Sequence, residues 1–171
     1  GGLLIKNKNN GGQNNILYFT KGVGARGNID TKDEITRDYE AKKSAEILGA
    51  EIKYFGDFPD NKLDTVPLLS LIKIMESFIQ ELKPSIIITH SQDELNIDHQ
   101  IIGRAAITAS RPTNKSNKTS ILLGNVPSSN EWHINQSSLK NNFYVNIEKE
   151  KDLKYEALKS YKSEKRNPPN P

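Results

Sequence analysis

The sequence contains no cysteine among its 171 residues, and only one methionine and one tryptophan. A chain without cysteine can form neither disulfide bonds nor a zinc site built from thiolates. It also lacks any apolar run close to the roughly 20 residues that a membrane-spanning helix needs, and no signal-peptide pattern is visible. These absences exclude a disulfide scaffold and a transmembrane segment within this sequence, and we expect a cytoplasmic protein.

Charge of one sign is not in excess either. Lys and Arg number 24 and Asp and Glu number 21, which gives a formal net charge of +3. The charges are mostly interspersed, without the basic and aromatic stripe typical of nucleic-acid binding, so no nucleic-acid partner is expected. The length and a hydrophobic content of 35% fit one domain with a real core. The oligomeric state stays open.

Short apolar runs alternate with segments of helical periodicity along most of the chain. The runs predict strands at Ile16–Thr20, Ile52–Phe55, Ile86–Ile88, Ser120–Val126 and Phe143–Ile147. The periodic segments predict helices at Asp33–Leu48, Leu68–Leu82, Gln100–Ser110 and Glu148–Lys162. Continuous apolar strands that alternate with helices are typical of parallel sheets covered on both faces. The sequence therefore predicts an α/β fold, a Rossmann-like and mostly parallel sheet with helices on both faces.

The residues best suited to catalysis or metal binding are concentrated in one stretch, Thr89–His99, which holds two of the three histidines. It follows a predicted strand and precedes a predicted helix, and sites in open α/β sheets lie beyond such strand ends. Asp98 is predicted to cap the helix. His99 then lies near the positive end of the helix dipole, which favours the neutral imidazole that a metal needs. The alternative is an ordinary cap beside a surface histidine, because one histidine alone cannot hold zinc.

Other residues have both a functional and a purely structural interpretation. Gly22 and Gly24 follow the first predicted strand, where glycines can cradle a phosphate. Their spacing does not match Gly-x-Gly-x-x-Gly, however, and an ordinary loop explains them equally. Arg37 and Glu40 lie three residues apart on a predicted helix and could pair on its surface. Asp60 lies in a loop whose composition is typical of a turn.

Several segments, taken in order, are similar to motifs of the PIG-L/LmbE family of de-N-acetylases. The similarity covers about Ile16 to Pro171 and rests on the order and spacing of the segments rather than on a single motif. The matching segments are Ile16–Gly22, Arg37–Gly49, Phe58–Leu63, Thr89–His99, Ser128–Trp132 and Lys159–Ser163.

The resemblance implies a metal-dependent hydrolase that removes the acetyl group from an N-acetylated amino sugar or glycoconjugate. The expected cofactor is Zn²⁺ or another divalent metal, which makes an amide carbonyl more electrophilic and water more acidic. The expected partner is the sugar substrate, and Arg37 and Asp60 match positions that face the sugar in relatives. We expect them to converge with His99 and Asp98 at the carboxyl edge of one sheet.

The resemblance also implies roles for the residues of the central stretch. His99 matches the third metal ligand of the family. Asn96 and Asp98 match the pair that stabilises the oxyanion, although many relatives have a histidine at the position of Asn96. An asparagine can donate a hydrogen bond to an oxyanion but carries no charge, and His90 is the residue expected to compensate. The resemblance therefore implies that Asp98, Asn96 and His90 are catalytic and that His99 binds the metal.

The family's first metal motif, His-Pro-Asp-Asp-Glu, is absent from the sequence. In relatives it supplies two zinc ligands and the general base, and it lies shortly before a Gly-Gly pair that Gly1 and Gly2 resemble. We therefore expect the first strand and this motif upstream of residue 1. On this hypothesis residues 1–171 form a single PIG-L deacetylase-like domain truncated at both ends, and the chain alone binds zinc poorly.

Two other classes of function remain open at this stage. The chain could come from a family member that lost its metal site and only binds a sugar. It could also be an unrelated Rossmann-like nucleotide-binding module, for which Gly22 and Gly24 are the candidate phosphate-binding residues.

Overall fold

The computed structural model describes residues 1–24, 31–112, 119–124, 126 and 141–164. In these ranges the helices are α1 (Gly2–Asn9), α2 (Thr31–Ile47), α3 (Leu68–Leu82), α4 (Ile97–Ala109) and α5 (Lys151–Lys159). The strands are β1 (Asn15–Thr20), β2 (Glu51–Phe58), β3 (Ile86–His90) and β4 (Ser120–Gly124). Short 3₁₀ helices lie at Leu63–Thr65, Glu148–Glu150 and Lys162–Glu164. No helix in the described ranges is long and apolar enough to cross a membrane.

The predicted α/β fold is confirmed, because the strands pair in parallel and helices lie between them in the chain. Parallel pairing requires a crossover connection, which helices usually provide. The chain divides into two units, one made of Gly1–Asp60 with Asn141–Pro171 and the other of Asn61–Lys140.

The first unit is built on the parallel pair of β1 and β2. Ile16 lies opposite Ile52 and Tyr18 opposite Phe55, and the Tyr18 and Phe55 rings are 5.1 Å apart. Strand β2 continues through Gly56 and ends at Phe58, three residues beyond its predicted end. A Cβ at Gly56 would lie 2.7 Å from the carbonyl oxygen of Phe19, so only glycine fits this close approach between the strands.

Helices α2 and α5 pack together in this unit through small buried residues. Ala41 and Ala45 on α2 and Ala157 on α5 are nearly inaccessible to solvent. Helix α2 ends ahead of Gly49, whose φ of 64° is the left-handed conformation common just after a helix. The Asn14 side chain donates to the carbonyl oxygens of Leu4 (2.8 Å) and Gly49 (3.2 Å). Asn14 thereby holds α1 against the turn that follows α2.

The second unit is built on the parallel pair of β3 and β4, which runs in register from Ile86 opposite Ser120 to His90 opposite Gly124. Helix α3 has the predicted bounds and buries Leu71, Ile72 and Met75. It packs against α4, which buries two alanines and Gly103.

One predicted strand is absent, since Phe143–Ile147 has no regular secondary structure. Phe143 and Tyr144 are 60% and 78% exposed. The carbonyl oxygen of Asn146 accepts from the Lys6 ammonium at 2.9 Å instead of from a neighbouring strand. Aromatic and β-branched residues favour a strand only where a partner strand packs on them. The predicted helix at Glu148–Lys162 is also shorter, with a 3₁₀ turn ahead of α5.

Candidate functional site

The start of α4 lies directly beyond β3, as predicted, but the residue that caps it is Asn96. The Asn96 side-chain oxygen accepts from the backbone N–H groups of Asp98 (2.9 Å) and His99 (3.2 Å). The helix therefore begins at Ile97, three residues before its predicted start. The prediction that Asp98 is the cap is wrong. A capping residue precedes the first helical turn and accepts from its free N–H groups, whereas Asp98 lies within that turn.

The Asp98 carboxylate instead holds the loop that precedes the Leu63–Thr65 turn. It accepts from the backbone N–H of Asn61 at 2.7 Å and from that of Leu63 at 3.0 Å. Asp98 is only 8% exposed. The Asn96 amide donates to the Asn61 side-chain oxygen at 3.0 Å and supports the same loop. Asp98 and Asn96 together fix the loop to the start of α4.

His99 contacts a carboxylate to which the sequence assigns no individual role. The Nδ1 atom of His99 is 2.6 Å from Oε2 of Glu94, and the Glu94 side chain is fully buried at 0% exposure. The His99 side chain is 28% exposed. Its Nε2 atom has no hydrogen-bond partner in the part of the chain that the structure describes. Nδ1 of the imidazole is therefore held by a buried carboxyl group, and Nε2 is available to bind a ligand.

His90, at the end of β3, packs face to face with His99. The ring centroids are 4.0 Å apart and the ring planes differ by 7°. Burial, with a smaller effect from His99, lowers the pKa of His90 to about 4, although Glu94 opposes the shift. His90 is therefore neutral at pH 7, and its ring can stack on His99 without charge repulsion. Its Nδ1 atom is buried and lacks a partner among the described residues.

Arg37 lies in the first unit, on α2, and its guanidinium pairs with the Glu164 carboxylate. The same guanidinium lies 5.6 Å from the centre of the Tyr161 ring. The surface pair with Glu40 is not formed. The buried Glu40 carboxylate instead accepts from the backbone N–H (3.0 Å) and the hydroxyl (2.5 Å) of Ser163. The C-terminal 3₁₀ turn supplies both partners, and the sequence contains no local signal for such distant contacts.

Asp60 lies in the same unit, after β2. Its carboxylate accepts from the Thr20 hydroxyl at 3.5 Å, at the end of β1. Lys21, which follows Thr20 in the chain, pairs with Asp57 at 3.0 Å and with Glu34 at 3.4 Å. Lys21 thus has carboxylate partners at the start of the glycine-containing loop, and the suggested phosphate-binding role of Gly22 and Gly24 stays a prediction.

The structure brings four of the predicted site residues together at the start of α4, namely His90, Asn96, Asp98 and His99, and adds Glu94 to them. Arg37 and Asp60 belong to the other unit, and their convergence with His99 stays a prediction. Among the described residues, no group of three or more histidine, aspartate or glutamate side chains could hold a metal ion. His99 by itself fits one metal ligand, because its Nδ1 bonds to Glu94 and its Nε2 has no partner in the described part of the chain.

Comparisons with known proteins place these features in context. The family model PIG-L, described as GlcNAc-PI de-N-acetylase, matches residues 1–110. No curated protein sequence matches the chain. Solved structures share its fold, and three of them each cover at least 95% of this chain.

One is N,N′-diacetylchitobiose deacetylase from Pyrococcus horikoshii, with a TM-score of 0.74 and 20% identity over 97% of this chain and 65% of that one. Another is 4-carboxy-2-hydroxymuconate hydratase from Pseudomonas putida, with a TM-score of 0.72 and 18% identity over 95% of this chain and 72% of that one. A conserved protein from Thermus thermophilus has a TM-score of 0.70 and 22% identity over 95% of this chain and 71% of that one.

Proposed function

Because the chain belongs to the PIG-L family, we propose that it is part of a metal-dependent hydrolase that removes the acetyl group from an N-acetylated amino sugar or glycoconjugate. The family model supports this reaction class by its description, GlcNAc-PI de-N-acetylase. The solved structures support the fold alone at 18–22% identity, and they include a hydratase as well as a deacetylase.

The observation that carries the proposal is the setting of His99. A metal binds the neutral imidazole through one nitrogen, while the other nitrogen donates to a carboxylate or carbonyl group. His99 has this arrangement, with Nδ1 on buried Glu94, a side chain that is 28% exposed, and an Nε2 that lacks a hydrogen-bond partner among the described residues. His99 would hold Zn²⁺ or another divalent cation as one ligand among several. When bound, the metal supplies Lewis-acid activation of the amide and of water.

The neighbouring residues would act on the oxyanion that forms when the amide is attacked. Asn96 uses one amide N–H for Asn61, and the second N–H, which has no partner among the described residues, could donate to an oxyanion. Asp98 would act indirectly, because its carboxylate is occupied by the backbone N–H groups of the loop. His90 would offer a neutral donor, since burial, with a smaller effect from His99, lowers its pKa to about 4.

Sugar binding would fall to Arg37 and Asp60. A guanidinium presents several N–H donors in one plane and can bridge two acceptors such as sugar hydroxyl groups. Arg37 is held by Glu164 in this structure, so a sugar hydroxyl would share or replace that carboxylate. The Asp60 carboxylate already accepts a hydroxyl hydrogen from Thr20, which is the type of contact a sugar hydroxyl would make.

The test is acetate release by the complete protein, with added zinc, from a panel of N-acetylated amino sugars. His99→Ala should remove nearly all activity, and Asn96→Ala should raise the barrier by about 2–4 kcal/mol if it donates to the oxyanion. Arg104→Ala, an exposed change on the same helix, is the matched control and should have no effect. Full activity of His99→Ala would refute the metal role. Sugar binding by the wild type without acetate release would favour an inactive sugar-binding relative.

A further inference from the structure

We propose that Glu94 is the positioning residue of this site: it holds His99 as the Nδ1–H tautomer, so that Nε2 presents its lone pair to the metal. The inference rests on the proposed function for the identity of the ligand that Nε2 meets. The orientation of the imidazole is a property of this chain alone.

The Glu94 carboxylate contacts the imidazole directly. Oε2 of Glu94 lies 2.6 Å from Nδ1 of His99, a short hydrogen bond of the kind that a carboxylate acceptor makes. An ionised carboxylate can only accept, so the proton of a neutral imidazole must lie on Nδ1. The remaining nitrogen, Nε2, then carries the lone pair.

The Glu94 backbone is itself fixed. The Gln100 side-chain amide donates to the Glu94 carbonyl oxygen at 2.6 Å. Two residues after Ser91, the Asp93 backbone N–H donates to the buried Ser91 hydroxyl at 3.1 Å. These bonds hold the loop from both sides of Glu94, so its carboxylate is positioned before any ligand arrives.

His99 is restrained on its face as well as on its edge. The His90 ring lies parallel to it at a centroid distance of 4.0 Å. The stacked ring opposes rotation of the imidazole about its Cβ–Cγ bond, and the Glu94 bond favours the orientation in which Nδ1 faces the carboxylate. A ligand held in this way loses little side-chain freedom when it binds a metal.

One oxygen of Glu94 is not explained by a purely structural role. The second carboxylate oxygen of Glu94, Oε1, is buried and has no hydrogen-bond partner among the described residues. A buried and incompletely bonded carboxylate costs stability. A cation on Nε2 would make the imidazole a stronger donor and would offset the buried negative charge. Glu94 therefore fits the needs of a bound metal better than the needs of the metal-free fold.

The experiment measures zinc affinity by calorimetry and the His99 tautomer by ¹⁵N NMR of the metal-free complete protein. Glu94→Gln removes the charge and keeps the shape, and it should weaken zinc binding about 10- to 100-fold, as loss of such a supporting partner does. Glu94→Asp keeps the carboxylate and should retain part of the affinity. The matched control, Asp93→Asn, removes an exposed charge from the same loop one residue away and should leave the affinity unchanged.

The outcomes separate this inference from the proposed function. Zinc binding by the wild type, lost in His99→Ala, shows that His99 is a ligand; unchanged affinity in Glu94→Gln would then overturn the role of Glu94. An Nε2–H tautomer in the metal-free wild type would overturn it as well, even if Glu94→Gln fails to fold. An Nδ1–H tautomer in a wild type that binds no zinc would support the positioning by Glu94 and refute the metal-dependent function.

Discussion

Glu40 provides a stability prediction that is independent of any ligand. Its side chain is 4% exposed and accepts two hydrogen bonds from Ser163, which lies more than a hundred residues away in the chain. This contact ties the C-terminal 3₁₀ turn to α2. Glu40→Gln keeps the size of the side chain, removes the charge and replaces one acceptor oxygen by a donor group. We expect it to destabilise the protein at neutral pH.

The magnitude follows from the two bonds. Hydrogen bonds to a charged group contribute about 1.5–3 kcal/mol each, and neutral ones about 1 kcal/mol. The glutamine oxygen can still accept from the Ser163 N–H, and the Ser163 hydroxyl can rotate to accept from the new amide. Glu40→Gln therefore loses the charge assistance of two bonds but leaves neither partner unpaired, a net loss of about 2 kcal/mol.

The effect depends on pH in a defined direction. Burial acts to raise the pKa of Glu40, but the hydrogen bonds from Ser163 and the nearby Arg37 charge outweigh it and hold the pKa below its ordinary value of 4.5. A carboxyl group with a lowered pKa in the folded state stabilises the protein above its unfolded pKa, and this contribution is lost as the pH falls through the folded pKa. The difference between wild type and Glu40→Gln should therefore be constant near neutral pH and shrink below about pH 4.5.

Chemical denaturation at a series of pH values measures the free energy of unfolding of each variant. Glu46→Gln, an exposed change on the same helix, is the control and should have little effect. Ser163→Ala and the double variant complete a cycle that isolates the coupling between the two side chains. A Glu40→Gln variant as stable as the wild type at pH 7, or one whose deficit grows as the pH falls to 3, would refute the reasoning.

Three further changes in the second unit test its packing by thermal and chemical unfolding. Asp98→Asn should cost about 2–4 kcal/mol, because an amide cannot accept from both loop N–H groups that the carboxylate binds; an unchanged stability would contradict the loop-holding role. Leu71→Ala should cost about 2–5 kcal/mol, since Leu71 is fully buried and leaves a cavity. Gly103→Ala should cost about 1–3 kcal/mol, because its Cβ would lie 2.5 Å from the His90 carbonyl oxygen and the strand or helix must move; a neutral result would show that this contact relaxes freely.

Elements with a strong local pattern were predicted well. Helix α3 has the bounds expected from its apolar spacing and ends at Leu82, two residues before Pro84. Strands β1 and β3 lie where continuous apolar runs predicted them. In these segments the residues that decide the conformation are neighbours in sequence, so periodicity and chain-breaking residues are enough.

The failures have a common physical origin. Phe143–Ile147 has the composition of a strand but lacks a partner strand among the described residues, and strand propensity depends on packing against one. Either Asn96 or Asp98 could accept from the free N–H groups at the start of α4. In the structure Asn96 does so, and the Asp98 carboxylate binds the Asn61 loop instead. Sequence spacing alone could not distinguish them.

The sequence by itself determined the parallel α/β class, the family and the stretch that contains His99, because each depends on residue types and on their order along the chain. Only the tertiary structure decided which groups meet. Glu94 contacts the Nδ1 atom of His99, His90 stacks on the same ring, and the Ser163 hydroxyl donates to Glu40. Contacts of this kind depend on where the folded backbone directs each side chain, and hydrogen bonds form only within about 3 Å at a suitable angle. The spacing of residues along a chain does not determine these distances between their side chains.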